Sequence, residues 1–65
     1  MPSDAEKLNT VITSTQDQIQ SLLAEMSKAT DPAKKKGFAT LALKEVAKAQ
    51  KLQTQLNQML TQAAK

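Results

Sequence analysis

The sequence predicts an all-α fold, an antiparallel two-helix hairpin of coiled-coil type that completes a four-helix bundle by dimerisation or by binding a partner. Three observations predict it. Apolar residues recur at alternating steps of three and four, the spacing of a coiled-coil seam. An Asp31-Pro32 pair interrupts that pattern near mid-chain. The composition, rich in Ala, Leu, Lys and Gln with one Gly, one Phe and neither Trp nor Tyr, belongs to long helices rather than sheets.

The first helix is expected over about residues 4–29. Ser3-Asp4-Ala5-Glu6 reads as a capping box, in which Ser3 accepts from an amide one turn on and Glu6 reaches back to the cap's own amide. The seam then runs through Ala5, Leu8, Ile12, Thr15, Ile19, Leu22, Met26 and Ala29, with Thr15 its one polar member. Val11 and Leu23 flank the seam and widen it toward the broader stripe of a bundle helix.

A turn at about residues 30–31 follows. Proline disfavours helical geometry in the residue before it and suits the first helical position after a cap, so Asp31 becomes the second N-cap. The second helix is expected over about residues 32–63, with Phe38, Leu41, Ala42, Val46, Ala49, Leu52, Leu56, Met59, Leu60 and Ala63 as its stripe. Gly37 lies inside it, where glycine costs up to about 1 kcal/mol relative to Ala. The alternative is a longer loop with the helix beginning at Phe38. The start at Pro32 is preferred, because Asp-Pro is a good cap and no capping residue follows Gly37.

So short a connection requires antiparallel packing. A turn near residue 30 makes the numbers of facing residues add up to roughly 61, which sets Ile19 against Ala42, Ile12 against Ala49 and Ala5 against Leu56. Large side chains of the first helix then meet small ones of the second. The same register places Met59, Leu60 and Ala63 beyond the start of the first helix, an apolar end without an intramolecular mate.

The 65 residues make a single domain, and a folded chain of this size buries only about 60% of the surface its unfolded form exposes. Disulfides, a structural metal or association usually compensate. The chain has no Cys and no His and its six carboxylates are scattered, so neither a disulfide nor a metal site nor a cofactor is expected. Association remains, as a homodimer or with a heteromeric helical partner. Leu56, Met59, Leu60, Ala63, Val11 and Leu23 are the expected partner interface. An acidic, polar start and the lack of a long apolar run predict neither a signal peptide nor a membrane span, and a cytoplasmic protein is the default expectation.

Two polar constellations remain. Thr15 and Glu45 are the exceptions in the two seams and fall at the same level, so they are expected to form a polar layer. Such a layer either fixes register and oligomeric state or holds a buried carboxylate with a raised pKa. The first reading is preferred, since no second titratable group is expected beside Glu45. The charges also divide: residues 1–30 carry four carboxylates and two lysines, net −2, and residues 31–65 carry seven lysines and two carboxylates, net +5. Lys34, Lys35 and Lys36 near the turn, with Lys44, Lys48 and Lys51 along the second helix, are the candidates for anion contact. Contact with nucleic acid is the alternative function they suggest. The absence of Arg for bidentate phosphate contacts and of aromatics for stacking weighs against it.

In plan, a Cys-free helical hairpin of this length is similar to the small co-chaperones of bacterial type III secretion and to small phage and plasmid hairpins. The likeness is one of architecture and transfers no site. The function expected from the sequence is a non-enzymatic protein-interaction module, self-associating or a small adaptor or co-chaperone-like subunit. An enzyme is not expected from a chain without His, Cys, Arg, Tyr or Trp.

Overall fold

Ser3 opens the first helix as expected: its hydroxyl accepts from the Glu6 amide at 3.2 Å, and Asp4 and Glu6 place negative charge in the first turn, where the helix dipole favours it. The reciprocal half of the capping box, from the Glu6 carboxylate to the Ser3 amide, is absent among the described residues. The computed structural model describes residues 3–63, which form α1 (Asp4–Lys28) and α2 (Pro32–Ala63).

The turn between them uses extended backbone rather than a left-handed residue. Ala29 leaves the helix at φ −70°, ψ 133° while its amide still bonds the Glu25 carbonyl at 3.0 Å, and no described residue has a positive φ. Pro32 holds Asp31 out of helical geometry. The Asp31 carboxylate then accepts from the Ala33 amide at 3.0 Å, and its carbonyl accepts from Lys35 at 3.0 Å. With its first amides satisfied in this way, α2 starts at Pro32 and runs through Gly37 without a break. The longer loop with a start at Phe38 does not form.

The helices pack antiparallel along the expected seam, in a body of 51 × 20 × 11 Å measured on Cα atoms. Two helices side by side make a single helical layer. The radius of gyration, 15.1 Å, compares with about 11 Å for a compact domain of this length. Burial is correspondingly thin. Among the apolar side chains of the described residues only Ile12, Ala42 and Leu56 are buried, while Leu8, Ile19, Leu22, Met26, Phe38, Val46 and Leu52 are half-buried.

Four residues of the stripe expected for α2, Leu41, Met59, Leu60 and Ala63, are exposed. Leu41, adjacent to the buried Ala42, is 49% exposed. Two neighbouring positions are about 100° apart around a helix, and a close-packed pair places the small side chain in the seam.

Gly37 is an interior helical position at which an added Cβ would meet nothing within 4 Å. Gly37→Ala is therefore expected to raise stability by up to about 1 kcal/mol, measured by urea unfolding at fixed chain concentration. A loss would mean that another surface closes over this position. Asp31→Ala is expected to lower stability by about 1 kcal/mol through loss of the cap, with Asp31→Asn largely restoring it.

Candidate protein-interaction surface

A hairpin has two long flanks, and this one distributes its apolar and charged residues unequally between them. Positions four beyond Ala5, Ile12 and Ile19 fall on one flank of α1, which presents Asn9, Gln16 and Leu23. The matching positions of α2 are Ala39, Val46, Gln53 and Leu60, with Leu43 beside them. Two shallow depressions lie along this flank. The one nearer the turn is walled by Ile19, Leu23, Met26, Ala39, Ala42, Leu43 and Val46, all apolar. The one at the open end is formed by Ala5, Glu6, Asn9, Leu56 and Leu60. Between them the flank is uncharged and amide-rich, with Gln16, Gln50 and Gln53.

The six residues expected to make the partner interface do not lie together. Leu23, Leu56 and Leu60 border the two depressions. Val11 lies on the opposite flank, 44% exposed, and Met59 is turned toward that side at 37%. Ala63 is exposed at the end of α2. Leu60 is not an overhang, because it shares its depression with Ala5, Glu6 and Asn9 of the first turns of α1. The unpartnered end is therefore shorter than the facing rule implied.

Leu43, which sequence reasoning omitted, is the most exposed large apolar residue of the described chain, at 68%. It lies one step outside the expected stripe and so reads from the sequence as an ordinary surface leucine. Only its position at the rim of an all-apolar depression identifies it.

Thr15 is buried at 4% exposure. Its hydroxyl donates to the Val11 carbonyl one turn back at 2.8 Å, so it needs no partner on α2. Glu45 is half-buried in the facing seam, and no hydrogen bond joins the two among the described residues. The same local device satisfies the exposed hydroxyls of Thr10, Thr13, Thr40, Thr54 and Thr61, each donating to the carbonyl four residues earlier.

Lys34, Lys35, Lys36, Lys44, Lys48 and Lys51 are all exposed. The first three occupy the opening turns of α2, which contain no acidic residue, and there the helix dipole opposes their charge. Lys44, Lys48 and Lys51 line the side of α2 away from the two depressions. No group of three metal-ligating side chains comes together among the described residues. No helix among them is long and apolar enough to cross a membrane.

Because the Thr15 hydroxyl bonds only within its own helix, Thr15→Val removes it without orphaning a buried partner. The expected result is stability unchanged or higher by up to about 1 kcal/mol, read from the thermal midpoint. A loss of more than that would show that the hydroxyl serves Glu45 or a bound partner. Neither a family model, nor a curated protein, nor a solved structure matches this chain.

Proposed function

We propose that the chain is a non-enzymatic protein-interaction module that works by completing its helical layer with helices from another chain. The observation that carries this reading is the all-apolar depression bounded by Leu23 and Leu43, on a hairpin that buries only three apolar side chains among its described residues. Domains are built from at least two packed layers around a core, and here the second layer must come from elsewhere. Leucines exposed at 44% and 68% around a common hollow have the form of a docking patch rather than of scattered surface residues. Both depressions are open along the hairpin's side rather than enclosed. Among the described residues the half-buried Glu45 makes no side-chain hydrogen bond.

Contact through helices fits the soft, leucine- and methionine-containing lining, which can adjust to a partner's ridges. It also sets an expectation about salt. Apolar docking persists or strengthens as salt is raised, whereas phosphate contacts by Lys44, Lys48 and Lys51 would weaken steeply.

A photo-crosslinking residue at position 43 or 23, with position 48 as the control, tests the reading in cells of the source. The expected result is a protein adduct from positions 43 and 23, retained in high-salt washes, and little from 48. No adduct from either position would overturn the reading. Adducts from 48 alone, lost at high salt, would favour the lysine-based alternative.

A further inference from the structure

We infer that the flank bearing the two depressions is the seat of a second copy of this chain, placed so that both turns lie at the same end and α1 of each copy covers α2 of the other. This rests on the interaction reading above and adds the partner and its orientation.

The first argument is one of area. The hairpin exposes 5074 Å², against about 4,000 Å² expected for a compact monomer of 7.0 kDa. The excess, about 1,000 Å², is close to the roughly 800 Å² that a standard interface takes from each partner. A second hairpin laid along a 51 Å flank has the size to remove it.

The second argument is desolvation. By helical position, Glu6 and Lys36 are the only charged residues that fall squarely on this flank, at its two ends. The opposite flank presents Glu25, Glu45, Lys44, Lys48 and Lys51. Closing the first flank takes almost no charge out of water, and closing the second would strand several. Part of the flank's polar surface is already satisfied internally: Thr13 donates to the Asn9 carbonyl at 3.0 Å, and Gln53 to Asn57 Oδ1 at 3.2 Å.

Charge biases the orientation. Two hairpins related by a two-fold axis can meet on this flank in two ways. With turns at opposite ends, α2 lies on α2 and α1 on α1. With turns together, each α1 lies antiparallel on the partner's α2. α1 carries four carboxylates and two lysines, net −2, and α2 carries six lysines and Glu45, net +5. Helix axes packed about 10 Å apart lie near the screening length at physiological salt, and although most lysines of α2 point away from this flank, the net charges weakly disfavour stacking α2 on α2 and weakly favour stacking α1 on α2. The turns-together arrangement also meets like with like along the axis. Leu23 of each copy comes over the partner's Ala39–Leu43 turn, the amide-rich middles coincide, and Leu60 comes over the partner's Ala5.

The chain has no cysteine, so Thr30→Cys places a single nitroxide label at the exposed turn. Sedimentation of the purified full chain is expected to give a dimer, and pulsed electron paramagnetic resonance a label separation far below the 51 Å hairpin length. Leu23→Lys with Leu43→Lys is expected to raise the dimer dissociation constant at least about 30-fold, the factor for central interface residues. Leu41→Lys, on the other flank, should leave the constant within about threefold. Circular dichroism at high chain concentration checks that the variants remain helical. Labels separated by about the hairpin length would overturn the orientation. A dimer unaffected by the double change would overturn the choice of flank. A folded monomer at all concentrations would overturn the second-copy partner, while adducts to a different protein from position 43 in cells would leave the interaction reading standing.

Discussion

An α-helix buries only the stripe that meets a neighbour, and with one neighbour that stripe is about two side chains wide. Every other property of this hairpin follows from that limit. The seam closes over Ile12, Thr15, Ala42 and Leu56, and the apolar residues one step to either side, Val11, Leu23, Leu41 and Leu43, remain exposed. A third or fourth helix would turn those flanking residues into core. The thinness of the core is therefore a matter of missing layers rather than of poor hydrophobic content, since 40% of the chain is apolar.

Within that limit the seam favours small residues. Ala42 is buried where Leu41, its neighbour, is not, and Ala39, Ala42 and Ala49 lie along the contact side of α2. Small residues let the helix axes approach, and close approach lets the larger Ile12, Ile19 and Leu22 of α1 interdigitate. The consequence appears on the flank. Ala39 and Ala42 form the floor of a depression whose rim is Leu23 and Leu43, so the alanines that bring the two helices together also leave a hollow for a further side chain. The tight seam and the hollow on the flank thus come from the same alanines.

The polar residues repeat this economy. Thr15, the one polar break in the seam of α1, closes its hydroxyl on Val11 and so occupies a buried site at little cost. Glu45 keeps contact with solvent at the edge of the seam. The charges are gathered on the outer side and on the flank opposite the depressions, which leaves one flank uncharged along most of its length. That asymmetry gives the hairpin a direction: one side suited to water and one to another protein.

The sequence by itself determined the two helices, the residues that cap them and their antiparallel packing. Ser3, Asp31 and Pro32 act through bonds to residues two to four positions away, and the three-and-four spacing acts through helical geometry, so both are readable one segment at a time. It also pointed to incomplete burial, because 65 residues without Cys or His have few other ways to gain stability. What the sequence could not supply was the sorting of residues between flanks. The facing rule gives axial level only to within about one helical turn, 5.4 Å, and gives nothing of the angle around each helix. It placed Leu60 beyond α1 where Leu60 in fact neighbours Ala5 and Asn9, grouped Val11 with Leu23 although they lie on opposite sides, and left out Leu43. Those distinctions depend on how far the two helices rotate toward each other, and that rotation is set by the fit of side chains from both helices at once. Only the packed pair decides it.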